Sequence, residues 1–245
     1  MVDIYDELPL WSAPFGLKLL EYIDYKPNMS ALDIGFGTGF PMIEIAMRLG
    51  TSSTVYGIDP CPETNEIAGK KIKDWGLSNV IIIEGVAEQI PLETGTIDLI
   101  TSNNGINNVS DIEKVIAECS RVMKPGGRFV QTMNTDLTMI EFYSVLKDVL
   151  RELKMEQEIR SVQEHIRLKR PPVENIVSIL RTNGFVIRDI EHDQFNYRFA
   201  DGTAMLNHRF IRLAFLDSWT RLIPDEQVEQ VFTEVEKRLN DQSEL

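Results

Sequence analysis

One seven-residue stretch, Asp33-Ile-Gly35-Phe-Gly37-Thr-Gly39, constrains this chain more than any other. It follows a short apolar run at residues 31–34 and precedes residues 41–49, whose apolar positions repeat with helical spacing. Pro41 suits the first turn of that helix, where no intrahelical N–H is needed, and Gly50 suits its end. Glycines in such a loop adopt dihedrals closed to other residues and let a ligand approach the main chain. The helix that follows offers free N–H groups. At the carboxyl end of a parallel strand, a loop of this kind lies where open α/β sheets bind ligands.

The rest of the chain supplies the sheet. Strands are expected at residues 54–58, 80–84, 97–102 and 128–133, with helices at 15–25, 62–75 and 111–123, the last N-capped by Asp111. This alternation implies βαβ units with right-handed crossovers. After residue 134 the pattern changes to one continuous amphipathic helix over 136–169, broken by Pro171-Pro172. A helix at 173–182 follows, then further strands at 185–190 and 194–199, an apolar helix at 204–222 and a charged one from Pro224. No Gly- or Ser-rich linker interrupts the chain. The expected organisation is a single domain over 1–245: an N-terminal helical cap (1–30), a cofactor-binding core (31–134), a helical insertion or lid (135–172), and a segment that completes the sheet and adds C-terminal helices (173–245).

Charge and composition exclude several classes. Formal net charge is −13, so the average field repels nucleic acid. The one basic stretch, residues 160–170, sets Arg160, Arg167, Lys169 and Arg170 against Glu164 alone, and reads as a solvated helix end or a local anion site. No run of about 18 apolar residues is present, so no membrane insertion is expected. Asp3, Asp6 and Glu7 stand where a signal peptide carries positive charge, which points to the cytoplasm. Cys61 and Cys119 form no CxxC pair and no HxxxH occurs, so no metal is expected.

Asp59 closes the second strand twenty residues after Gly39. An acid there can accept hydrogen bonds from ribose hydroxyls, which indicates a nucleoside-containing cofactor. The dinucleotide fingerprint GxGxxG requires a third glycine where this chain has Phe40. The spacing here is GxGxG, with Asp33 ahead of it, and a carboxylate beside the loop suits an ammonium better than a pyrophosphate.

On these residues the chain resembles the class I S-adenosylmethionine-dependent methyltransferases. Asp33 to Gly39 looks like their first motif and Tyr56-Gly-Ile-Asp59 like their second. Glu84-Gly-Val-Ala-Glu-Gln-Ile-Pro91 and Thr96-Ile-Asp98-Leu-Ile-Thr-Ser102 resemble the adenine-binding and fourth-strand motifs. Arg121-Val-Met-Lys-Pro-Gly-Gly-Arg-Phe-Val130 resembles the turn before strand five. The likeness covers residues 31–131 and is nearest to the small-molecule, quinone-biosynthesis-like branch. It implies a Rossmann-like α/β fold: a seven-stranded, mostly parallel sheet with strand seven antiparallel and helices on both faces, plus the helical insertion and C-terminal helices. It implies S-adenosyl-L-methionine as cofactor, S-adenosyl-L-homocysteine as product, and a small-molecule acceptor. Gly35, Gly37 and Gly39 would line the methionine part, Asp33 would hold its ammonium, Asp59 the ribose, and Val86, Ala87 and Glu88 would flank the adenine. The family often has Asp where this chain has Val86, which leaves Glu88 to reach the adenine amino group.

Strand four runs into Ser102-Asn103-Asn104-Gly105-Ile-Asn107-Asn108, without the Asn/Asp-Pro-Pro-Tyr/Phe motif of enzymes that methylate amino groups of bases or glutamine. Asn103 is a candidate cofactor contact, and Asn104, Asn107 and Trp11 are candidate substrate contacts. Of the three histidines His165, His192 and His208, the first and last are candidate bases, as is Tyr5 near the N-terminus. The alternative readings are an NAD-dependent oxidoreductase and a non-catalytic S-adenosylmethionine-binding regulator or partner subunit. A monomer or homodimer is expected.

Overall fold

The computed structural model describes residues 10–243, which form two compact units. Among the described residues, the α/β unit comprises residues 10–134 and 173–190, and the helical unit comprises residues 135–172 and 191–243.

In the α/β unit the elements run α1 (Ala13–Glu21), β1 (Ser30–Ile34), α2 (Met42–Leu49), β2 (Thr54–Asp59), α3 (Pro62–Asp74), β3 (Val80–Glu84) and β4 (Ile97–Asn103). α4 (Ile112–Val122), β5 (Met123–Thr132) and, later in the chain, α7 (Val173–Thr182) complete it. The five strands are all parallel, in the order β3-β2-β1-β4-β5. Chain order therefore reverses between β1 and β4, which makes that junction the topological switch point. Period-two alternation sends Leu32 and Ile34 to one face, with Ile58, Ile100 and the apolar sides of α4 and α7. Ala31 goes to the other, with Val55, Leu99, α1, α2 and Ala68 of α3. Both faces are thus covered by helices, as parallel sheets require.

Local chemistry explains the helix boundaries. α2 buries Met42, Ile43, Ile45, Ala46 and Leu49, a single stripe, and stops at Gly50, whose φ is +70°. The Asn79 amide donates to Ala46 O (3.0 Å) and Gly50 O (2.9 Å), satisfying carbonyls the helix end leaves free. Asp111 caps α4 by accepting from Lys114 N at 3.0 Å.

The expected seven strands are corrected to five: neither residues 185–190 nor 194–199 form a strand. Phe185 and Ile187 pack into the core beneath the sheet, and the Phe185 ring lies 5.6 Å from that of Phe129 on β5. The segment keeps alternating burial, yet it makes no ladder hydrogen bonds and its other side chains face water. Residues 194–199 belong to the helical unit, where Tyr197 and Phe199 pack on the His208 ring (5.8 and 5.4 Å). The aromatic alternation that resembled a strand packs instead on His208, at the break between two helices.

β5 also begins earlier than expected. Met123 pairs with Ile97 and Arg128 with Leu99, so Pro125-Gly126-Gly127 lie in a register shift inside the strand.

The helical unit holds α5 (Ile140–Glu152), α6 (Glu156–Lys169), α8 (Gly202–Asn207) and α9 (Val228–Ser243). The expected continuous helix over 136–169 is split at residues 153–155, where Lys154 adopts φ +58°. The expected helix over 204–222 is divided as well, with a break at His208 and a π-helical turn at Arg212–Leu216. Its core centres on Tyr143, Leu146, Val149 and Trp219, with Val231 and Val235 of α9. Phe142 stacks on Trp219 at 3.7 Å, and the indole N–H donates to Tyr143 Oη at 3.0 Å. Among the described residues no helix is long and apolar enough to cross a membrane.

Two glycines of the α/β unit test these packing statements in opposite directions. A Cβ on Gly105 would lie 2.3 Å from Ile34 O and 2.8 Å from Ser102 Oγ, whereas one on Gly69, inside α3, meets nothing nearer than 3.9 Å. Gly105→Ala is expected to destabilise the chain by about 1–3 kcal/mol. Gly69→Ala should stabilise it by about 0.5–1 kcal/mol through helix propensity. Urea denaturation midpoints report both.

Candidate cofactor site

The site is built where β1 and β4 end. Asp33, the fourth residue of β1, pairs in register with Thr101 on β4, and the Thr101 hydroxyl donates to Asp33 Oδ1 at 2.5 Å. The carboxyl group is fully buried and its other oxygen, Oδ2, has no hydrogen-bond partner. Burial pushes the Asp33 pKa up to about 7, opposed by the Thr101 hydroxyl and the Met42 backbone N–H and reinforced by the negative charge of Asp59. A buried acceptor left open in this way is the arrangement a cationic ligand group completes.

The glycine loop leaves β1 with three positive φ angles, +70° at Gly35, +56° at Gly37 and +111° at Gly39. Each glycine does something different. A Cβ on Gly35 would lie 2.8 Å from Gly105 Cα, so the β1 and β4 loops touch backbone to backbone. One on Gly39 would strike Ile43 Cδ1 at 2.5 Å, so that glycine lets α2 close onto the loop. Gly37 has nothing within 4 Å of the same position, so its main chain stays open to a ligand.

Asp59 ends β2. Its Oδ2 accepts from Gly37 N at 3.0 Å, and its Oδ1 from Cys61 N (2.9 Å) and Thr64 Oγ1 (3.1 Å). The carboxylate therefore ties the glycine loop to the first turn of α3, with an Oδ2 lone pair left over.

On the β3–β4 connection, Ala87 is buried and Val86 is about half exposed. Glu88 Oε1 accepts from Ser110 N (2.8 Å) and Asp111 N (3.1 Å), so this side chain anchors the connection to the start of α4. Arg121 holds the same connection, donating to Leu92 O (2.8 Å) and Ile90 O (2.7 Å) while paired with Glu118.

The four asparagines after β4 divide by role. Asn103 donates to Ser12 O (3.1 Å) and accepts from Thr132 (2.8 Å), binding the segment before α1 to the strand ends. Asn107 exchanges two hydrogen bonds with the backbone of Asn134, and Asn108 donates to Asn104 O. Asn104 sits at φ +60°, is about nine-tenths buried, and neither amide atom of its side chain has a partner. Trp11 lies just before α1, its ring 6.0 Å from Phe15.

His165 and His208 belong to the helical unit, as does His192, so the unit that carries Asp33 and Asp59 contains no histidine. Tyr5 lies outside the described residues. Among those residues no group of three or more His, Cys, Asp or Glu side chains is placed to hold a metal.

Sequence reasoning missed Thr101, Gly105 and Thr64. Thr101 and Gly105 become visible only through strand register. Thr64 carried a signal, a hydroxyl in the first turn after a strand-end acid.

Phe40, which occupies the third-glycine position of the dinucleotide fingerprint, is accommodated by Gly16 of α1: a Cβ there would lie 2.2 Å from Phe40 Cε1. A family model described as a methyltransferase domain matches residues 32–131. A demethylmenaquinone methyltransferase from a Geobacillus species is 30% identical over 199 residues, covering 78% of this chain and 83% of the relative. The chain belongs to the class I S-adenosylmethionine-dependent methyltransferases, in their quinone-biosynthesis-like branch. It spans about half the length of the first curated relatives it matches. The one from Bacillus cytotoxicus, also a demethylmenaquinone methyltransferase, is 33% identical over 128 residues, 52% of this chain and 54% of the relative. Among solved structures, the YcgJ protein of Bacillus subtilis shares the fold at TM-score 0.59 and 21% identity, covering 90% of this chain and 82% of that one. The cofactor of this family is S-adenosylmethionine. The open oxygen of Asp33, the uncovered backbone at Gly37 and the strand-end Asp59 suit its ammonium, methionine and ribose parts.

The raised Asp33 pKa makes a pH prediction. The unfolded chain ionises this group near its ordinary value of 3.8, the ligand-free fold only near 7. Between those values the folded state binds the extra proton, so the group's contribution to stability is full at low pH and is lost as pH rises toward 7. Asp33→Asn cannot ionise. Its stability relative to wild type is expected to rise by a few kcal/mol between about pH 4 and pH 8. Urea titrations across that range measure it, and a constant difference would refute it.

Proposed function

We propose that this chain transfers a methyl group from S-adenosylmethionine to a small-molecule acceptor of the quinone-precursor class. The observation that carries the cofactor reading is the buried, unpartnered Asp33 Oδ2 beside the open backbone of Gly37. The acceptor class is supported by the demethylmenaquinone methyltransferase from Geobacillus, most of whose length this chain covers.

In this reading Asp33 takes the cofactor ammonium on Oδ2 while Thr101 fixes the carboxylate through Oδ1. Asp59 accepts from the ribose, and its bond to Gly37 N sets the loop that the methionine part lies on. Val86 and Ala87 flank the adenine. Glu88, already held by two backbone amides, fixes the turn that presents them. Asn104 offers a free donor and a free acceptor beside the cofactor loop, through which it contacts the acceptor.

The bound cofactor supplies a methyl group already activated on a sulfonium. The chain's own contribution is then to hold the reactants in line and exclude water from the approach.

Calorimetric titration tests this reading. S-adenosylmethionine and S-adenosylhomocysteine should bind at micromolar concentration and NADH should not. Asp59→Ala and Asp33→Asn should each weaken binding by about 10- to 100-fold, the range expected for loss of a charged hydrogen bond. Below pH 7 the wild type should release a proton on binding, seen as a heat that varies with buffer ionisation enthalpy, and Asp33→Asn should not. Binding of NADH alone would overturn the reading.

A further inference from the structure

Two neighbouring lysines of α3 have unlike surroundings. Lys70 is exposed and pairs with Glu66 at 3.0 Å, a solvated pair one helical turn apart. Lys71 is partly buried, and its Nζ donates to Thr38 O in the glycine loop at 3.0 Å. Thr38 itself is buried.

Lys71 stands on the side of α3 that meets the loop. Thr64, Ala68 and Lys71 are spaced i, i+4, i+7 and share one helix face. Thr64 Oγ1 donates to Asp59 Oδ1 at 3.1 Å, and Asp59 Oδ2 accepts from Gly37 N. A Cβ built on Gly39 would lie 3.7 Å from Ala68 Cβ. This face therefore reaches three successive residues of the loop: Gly37 through Asp59, Thr38 through Lys71, and Gly39 through Ala68.

The flanking glycines make the hold at Thr38 matter. Gly37 and Gly39 lie at φ +56° and +111°, and glycine exchanges such dihedrals for others at little cost. The peptide between Thr38 and Gly39 is free to turn unless its ends are held. Its N–H donates to Phe36 O at 2.9 Å, and its C=O accepts from Lys71. An ammonium donates and cannot accept, so it stabilises only the orientation that points this carbonyl at α3. We propose that Lys71 is a positioning residue of the cofactor site: it pins the Thr38–Gly39 peptide, keeps the Gly37 backbone in its open form, and so sets the affinity for S-adenosylmethionine through the loop. This rests on the reading of the loop as the S-adenosylmethionine site.

The test compares the full chain with Lys71→Met, which keeps a long apolar stem and loses the ammonium, and with Lys71→Arg, which restores a charged donor. Calorimetry with S-adenosylmethionine should show binding about tenfold weaker in Lys71→Met, the loss of one charged hydrogen bond, and largely recovered in Lys71→Arg. Below pH 7 the proton release linked to Asp33 should persist in both variants, since Lys71 acts on the loop and not on that carboxyl. In the ligand-free chain, amide hydrogen exchange should quicken over residues 36–40 in Lys71→Met while β1 and β2 keep their protection. Wild-type protein that binds no S-adenosylmethionine would defeat the cofactor reading and this proposal with it. Where the wild type binds, equal affinity in Lys71→Met, no recovery in Lys71→Arg, loss of the proton release, or exchange that quickens across the whole sheet would each overturn the proposal and leave the cofactor reading standing.

Discussion

The contact on which the site depends is the approach of two loops at the switch point, Gly35 against Gly105. β1 and β4 are neighbours only because the chain crosses back over the sheet after β3. That crossing sets Thr101 opposite Asp33 and brings the loop after β4 against the glycine loop after β1. A side chain at either glycine would hold the loops apart. The hydrogen bond from Thr101 and the placement of Asn104 both follow from this contact. The first link of the chain here is sequence, two glycines about seventy residues apart, and the last is chemistry, a carboxylate with one oxygen held and one left open.

The two acids of the site show how environment divides one residue type into two roles. Asp59 has both oxygens engaged by N–H and O–H donors of the fold. Asp33 receives one close hydroxyl bond from Thr101 and the weaker influence of the Met42 backbone N–H, lies deeper, and has Asp59 as its charged neighbour. Burial without a counter-charge favours its neutral form, and a ligand cation would favour the ionised one. In the proposed reading, a positively charged cofactor group binds partly by relieving that cost. The same residues placed in water would show no such preference.

Much of this was legible in the sequence because its rules are local. The glycine loop, the strand-end acid, the cap at Asp111 and the helix stop at Gly50 each rest on neighbouring residues or on a short period. The strands beyond residue 184 were misread because alternation reports a half-buried extended segment, and only a partner strand makes it part of a sheet. Phe185 and Ile187 meet the first condition, and the segment forms no ladder. Tyr197 and Phe199 alternate because they pack on His208. The break at Lys154 was also hidden, since the residues on both sides of it continue an amphipathic pattern. Glu88 shows a further limit. Its Oε1 is held by the backbone of Ser110 and Asp111, partners more than twenty residues away that local spacing does not report.

Arg170 extends that point. By composition it is one of four cations in eleven residues, and nothing in the pattern separates it from Arg167. What separates them is burial. Exposed to solvent, Arg167 and Glu164 interact weakly, as surface pairs do. Enclosed beside Tyr143 and Trp219, Arg170 has an aromatic face and one hydroxyl in place of a carboxylate. Cation–π attraction recovers on the order of 2 kcal/mol when desolvated, against an effective penalty of several kcal/mol for burying the ion. Asp33 and Arg170 are alike in this: each is buried by packing that its sequence neighbours do not announce.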